Sequence, residues 1–158
     1  MKKIQAIVLL IMALITFSGC LSIDLQSDTK IGREQAEEIL RCFDEEDIEG
    51  LKSMFCKKIS DTYNLDRQIK EAMDFFDGKT ISHDDVLVGG GDSVRDGKVV
   101  DKHISYMILN IQSSTEKKYK IDTHSYLVYD DEDYIGMTHI KIFDCETDES
   151  IQIGRYIY

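Results

Sequence analysis

Near Ile81 the spacing of apolar side chains changes from three-and-four to two, and few chain architectures tolerate that change. Before it, Ile31, Gln35, Ala36, Ile39, Leu40 and Phe43 form one stripe on a helix that runs to about Asp44. Asp47 can cap a second helix that buries Ile48, Leu51, Met54 and Phe55. Asn64 can cap a third, with Leu65, Ile69, Ala72, Met73 and Phe76 on its buried side and Gly78 just past its end. After the change, β-branched and aromatic residues alternate with polar ones in strands over about 85–94, 98–111, 118–129, 135–143 and 150–155. Asp96-Gly97 is a hairpin turn between the first two. Helices followed by antiparallel strands specify an α+β fold, in which three N-terminal helices pack on one face of a curved antiparallel sheet of four to five strands. Proline is absent and no internal repeat is visible, so residues 30–158 read as a single domain.

The first twenty residues carry an address. Lys2 and Lys3 precede an apolar run from Ala6 to Ile15 that ends in Phe17-Ser18-Gly19-Cys20. A charged start, a short apolar middle and small residues before a cysteine are the parts of a bacterial lipoprotein signal, cut between Gly19 and Cys20. The expectation is a signal peptide over 1–19, lipidation on the Cys20 thiol, and a polar connector over 20–29 tethering the domain to the extracytoplasmic face of the cell membrane. A transmembrane helix is the competing reading, but it needs about 20 apolar residues and the run supplies half of that. Phe17, where leucine is more usual, leaves a plain secreted protein as the other alternative. Several acyl chains on one cysteine hold far better than one, which binds a bilayer only reversibly.

Charge and cysteine count narrow the function classes. The chain has 19 basic and 30 acidic side chains, a net of −11; the leader holds Lys2 and Lys3 and no acid, so the cleaved form stands at −13. A surface of that sign is repelled by phosphate backbones, which argues against nucleic acid, and by anionic headgroups, which leaves the acyl chains of Cys20 as the means of attachment. Cys42, Cys56 and Cys145 are an odd set with no two-residue gap, so neither a disulfide framework nor a zinc or redox centre is expected. Buried thiols acting as small apolar residues fit better.

Three segments carry a resemblance: Glu49-Gly50-Leu51-Lys52-Ser53-Met54-Phe55-Cys56, Phe75-Phe76-Asp77-Gly78-Lys79, and Gly89-Gly90-Gly91-Asp92-Ser93-Val94-Arg95-Asp96-Gly97. With them the chain resembles bacterial lipoproteins grouped as a domain of unknown function, across essentially all of the mature domain. The order of elements is similar to the cone-shaped nuclear transport factor 2-like fold. The resemblance implies a fold and a surface location and brings no activity, cofactor or metal.

Each candidate for chemistry has a plainer reading beside it. Gly89-Gly90-Gly91 lacks the following Lys-Ser or Lys-Thr and the helix of a phosphate loop, so a bulge or bend in a curved strand is expected. Asp130-Asp131-Glu132-Asp133 lacks the alternation of a calcium loop and reads as a hydrated hairpin tip. His83, His103, His124 and His139 are not spaced as helical metal ligands; with Tyr106 and Tyr126 they are the candidates for acid–base work in a cone pocket, since isomerases and dehydratases of similar fold pair a histidine or aspartate base with tyrosine donors. Arg155-Tyr156-Ile157-Tyr158 reads as a tail covering an edge strand or docking a partner. The leading expectation is a non-catalytic module that binds a small apolar ligand or a protein. The alternatives are a small-molecule isomerase or hydratase and a structural or immunity-type interaction factor.

Overall fold

The computed structural model describes the backbone of residues 19–157 and the side chains of residues 27–157. The export signal therefore lies outside the described residues apart from the backbone of Gly19, as do the Cys20 thiol and Tyr158. Among the described residues four helices lead: α1 (Gly19–Glu45), α2 (Ile48–Ser53), α3 (Lys57–Thr62) and α4 (Leu65–Phe75). Six strands follow: β1 (Thr80–Ser82), β2 (Leu87–Arg95), β3 (Lys98–Ser113), β4 (Lys118–Tyr129), β5 (Gly136–Asp144) and β6 (Ser150–Gly154). The fold is α+β, with the helices on an open antiparallel sheet ordered β1-β3-β4-β5-β6, and with β2 beside β3 on the same flank as β1.

Three differences from the expected layout have local causes. The segment 21–29, expected as a coil connector, is helical and continuous with α1. No proline or glycine interrupts it between Gly19 and Gly32, and Asp28 forms a half-buried ion pair with Lys102 at 2.9 Å that ties the helix to β3. The extra helix α3 buries only Ile59, so its six residues carry no readable stripe. The sixth strand, β1, is three residues long and leaves Ile81 68% exposed.

The expected caps are in place. The Asp47 carboxylate accepts from the Gly50 amide at 2.8 Å and the Asn64 side chain from the Arg67 amide at 3.1 Å. Asp47 also shares the Arg41 guanidinium with Glu38 and Glu45, which locks the end of α1 to the start of α2. The Asp96-Gly97 hairpin turn has positive φ at both residues, the form that matches strand twist.

Alternation along the strands gives the sheet two faces. Toward the helices point Ile104, Tyr106 and Ile108 of β3, Ile121 and Thr123 of β4, Ile140 and Ile142 of β5 and Ile153 of β6, all within 1% of full burial. They meet Ala36, Ile39, Leu51, Ile69 and Ala72 of the helices in one core. Phe43, Phe76 and Tyr119 close its end with ring centroids 5.3 and 4.6 Å apart, and the Tyr119 hydroxyl accepts from the Asp77 amide and donates to the Phe75 carbonyl. Removing the Ile108 side chain beyond Cβ, as Ile108→Ala, should cost about 2–5 kcal/mol of unfolding free energy in urea titrations.

Candidate functional site

His103, His124, His139 and Tyr126 collect on the face of the sheet turned away from the helices. His103 of β3 lies opposite Tyr126 of β4, and His124 of β4 lies opposite His139 of β5. Their rings form a contiguous patch: His103 stacks on His124 at 5.4 Å, Tyr126 meets His124 edge-on at 4.9 Å, and Tyr129 and Tyr134 extend the row at 4.7 and 5.2 Å. The C-terminal tail lies across it. Gly154 holds φ +69, where any Cβ would strike the Thr138 carbonyl, so the chain turns there without a side chain. The Arg155 amide then donates to the Thr138 carbonyl at 2.8 Å. The Tyr156 ring settles 4.5 Å from His124 and 5.8 Å from His139, and the Tyr126 hydroxyl donates to the Ile157 carbonyl. The tail, expected to cover an edge strand or to dock a partner, rests on a sheet face.

Burial decides the charge of these imidazoles. His124 is 2% exposed, and desolvation, reinforced by the proximity of His103 and His139, lowers its pKa to about 4. Desolvation lowers His139 as well. The Thr138 hydroxyl lies 3.0 Å from His124 Nδ1 and 3.3 Å from the His124 carbonyl, so it is the hydrogen-bond partner of the buried ring. His139 Nδ1 is buried with no hydrogen-bond partner among the described residues. His83 stands apart, near Glu37 of α1 at 3.4 Å.

A base whose folded pKa lies below its unfolded one stabilises the fold above the unfolded value and loses that stability as pH falls toward the folded value. For His124 the window runs from 6.5 down to about 4, and the loss reaches about 3 kcal/mol at most. Glu38, Asp47 and Asp144 are held below their ordinary values by, respectively, the Arg41 hydrogen bond, the same guanidinium, and the Glu146 amide. Their contribution is lost only as pH falls below the ordinary carboxylate range. Thermal melts from pH 7 to pH 4.5 should show a falling midpoint with proton uptake, and His124→Phe, which keeps the ring, should flatten that slope.

Tyr106 is on the other face, inside the helix–sheet core, 1% exposed, its hydroxyl without a hydrogen-bond partner among the described residues. Burial pushes its phenol well above the ordinary value. It is not brought together with any of the four histidines, so the expected pairing of histidine with Tyr106 in a cone interior is not formed. Tyr106→Phe should change unfolding free energy by less than about 0.5 kcal/mol, or raise it, because a buried unpaired hydroxyl costs stability.

The remaining candidates are structural. Gly89, Gly90 and Gly91 pair in unbroken register with Ser105, Ile104 and His103, and the bulge in this hairpin falls at Ser93/Val94, not at the glycines. Asp130–Asp133 form the hydrated tip between β4 and β5: Asp131 caps a short 3-10 turn, Asp130 pairs with Arg95 and Asp133 with Lys57. No metal-binding group of three ligands occurs among the described residues. Cys42 and Cys56 are free and buried, and burial raises both thiols, Cys42 to about 11; Cys56 is the N-cap of α3 instead of a residue within the second helix, and Cys145 is exposed.

Two open grooves lie outside the core. One, of about 550 Å³, runs between α1 and β1 and is lined by Glu37, Leu40, Arg41, Asp44, Thr80 and His83. The other, of about 430 Å³, has Phe43, Ile48, Met73 and Phe76 on its floor and Lys70 and Asp77 on its rim. Sequence reasoning missed both, because each is made by elements distant along the chain. The first also holds Ser82 beside His83, but the imidazole nitrogens face the Asp84 carbonyl and the Glu37 carboxylate and not the Ser82 hydroxyl.

A helix layer on one face of an open antiparallel sheet, with imidazoles and phenols on the other, defines an α+β module without a recognisable catalytic set among the described residues. The chain belongs to the family described as Domain of unknown function (DUF5104), which matches residues 38–148. The match contains all three segments on which the resemblance was read and ends before β6 and the tail. No curated protein matches the chain.

Proposed function

We propose that this chain is a lipid-anchored, extracytoplasmic binding module of bacterial origin that engages a protein partner and catalyses no reaction. The observation that carries the non-catalytic part is that, among the described residues, no histidine–tyrosine hydrogen bond opens on a cavity: Tyr106 sits among isoleucines on the helix side, and Tyr126, whose ring touches His124, donates its hydroxyl to the Ile157 carbonyl beneath the tail. An isomerase or hydratase would need a base and a donor converging on one cavity. Between a small apolar ligand and a protein partner, the openness of both grooves favours the partner, since a small-molecule site encloses most of its ligand.

The cone reading of the sheet is part of the same proposal. Register shifts at Ser93/Val94, Lys102/His103, Ile108/Ile111 and His124/Ser125 give the long strands several places to bend, and Asn110 adds a residue at φ +50. These support a nuclear transport factor 2-like curvature around the helices.

For the anchor, the support is the leader itself: charged start, short apolar run and Ser18-Gly19 before Cys20. No helix among the described residues is long and apolar enough to cross a membrane. Intact-mass analysis of the chain extracted from its native membrane should find Cys20 as the first residue carrying diacylglycerol and acyl groups. Cys20→Ala should move the protein out of the membrane fraction. An unmodified Cys20 in a membrane-extracted chain would refute the anchor.

A further inference from the structure

β2 is paired on one side only. Its nine residues run against β3 from Leu87 opposite Met107 to Arg95 opposite Lys98, while β1 meets β3 farther along, at Gln112 and Ser113. Among the described residues no strand lies on the outer flank of β2, so a row of amides and carbonyls faces outward there. Proteins ordinarily blunt such an edge with proline, an inward lysine, a bulge or a covering loop. Here the chain has no proline and β2 has no lysine; its one register shift falls near the turn, at Ser93/Val94, and leaves Leu87 to Ser93 in unbroken register. Every residue of the strand except Val88 is exposed.

The three glycines sharpen this. Gly90 must be glycine, because a Cβ there would strike the His103 carbonyl, and at Gly91 one would come within 3.3 Å of the His103 ring. At Gly89 a Cβ would meet nothing within 4 Å, and its backbone has no left-handed φ. Internal packing therefore accounts for Gly90 and leaves Gly89 unexplained; what it contributes is bare backbone at the open edge. Apolar side chains stand exposed at the two ends of the strand, Leu87 at 50% and Val94 at 62%.

Charge selects the occupant. Asp84, Asp85, Asp92 and Asp96 lie within β2 or next to its ends in sequence; of the cations nearby, Arg33 is engaged with Asp85, Arg95 with Asp130 and Lys102 with Asp28, while Lys98 stands opposite Arg95 at the hairpin end. A second copy would set one chain of net −11 against another. We propose that the outer edge of β2 is a docking strand for an extended, lysine- or arginine-bearing segment of another protein, which adds to the sheet as a further strand with main-chain hydrogen bonds to Leu87–Arg95 and apolar contacts to Leu87 and Val94. This rests on the preceding section only in taking a protein as what is bound, and it is independent of the anchor.

The test is amide hydrogen exchange on the full chain in mild detergent, with and without a ten-residue peptide of alternating lysine and valine; the controls are the glutamate–valine peptide and the lysine–valine peptide with a central proline. The expected result is at least tenfold slower exchange at alternate amides of Leu87–Arg95 with the basic peptide alone, and no change at Ser150–Gly154 on the opposite edge. Leu87→Lys/Val94→Lys, altered only at exposed positions, should keep the exchange pattern of the free chain and lose the peptide effect. Equal protection by the acidic peptide, protection centred on β6, no protection in β2, or β2 protection that grows with chain concentration without peptide would each overturn the proposal. Failure here with a lipidated Cys20 would leave the anchored module standing and remove this edge as its docking surface.

Discussion

The pairing of β3 with β4 is the constraint on which the rest depends. These are the two longest strands, they hold the centre of the sheet, and their shared register assigns every side chain along them to one face or the other. Ile104, Tyr106 and Ile108 opposite Ser125, Thr123 and Ile121 make the floor on which α1 and α4 pack. The residues between them, His103, Ser105 and Met107 against Tyr126, His124 and Asp122, are thereby sent outward. A slip of one residue would bury Asp122 and both imidazoles against the helices and expose the isoleucines, at a cost no other part of the fold can offset.

That division explains why this fold holds titratable groups that are buried and yet do not form a recognisable catalytic centre. His124 is desolvated by its neighbours on the outer face and by Tyr156, and it meets Thr138, a hydroxyl that offers it no charge. No carboxylate hydrogen-bonds the ring among the described contacts, so nothing compensates the loss of water and neutrality is the stable state. The outer face is best understood as a packed aromatic surface closed by the chain's own end. The open surfaces are elsewhere: the edge at β2 and the grooves beside α1 and α4.

Much of this was legible in the residues. Periods of 3.6 and 2 divide the chain where the structure does, Asp47 and Asn64 cap the helices they were expected to cap, and Lys118–Tyr129 is a strand with the bounds the alternation gives. Short elements were not legible: α3 buries one side chain and β1 leaves its isoleucine in water, so neither has a pattern to read. The helical run through 21–29 was missed because a tertiary contact such as the ion pair of Asp28 with Lys102 leaves no local pattern in the sequence. The glycines drew attention for the wrong reason. They looked like a bend, and one of them answers instead to a carbonyl on the next strand, a contact no local pattern reveals. The histidine patch was visible only as residues without geometry, since the register shifts at Lys102/His103 and His124/Ser125 decide which side chains meet.

The central claim is that the imidazoles and the isoleucines occupy opposite faces of one sheet. Carbon-edited nuclear Overhauser spectra of the full chain test it directly. The account predicts contacts from the His124 and His139 ring protons to Tyr156, and from the Ile121 and Ile140 methyl groups to α1 and α4, with none crossing between the two sets. Contacts from His124 to helix methyl groups, or from Tyr106 to a histidine ring, would contradict it.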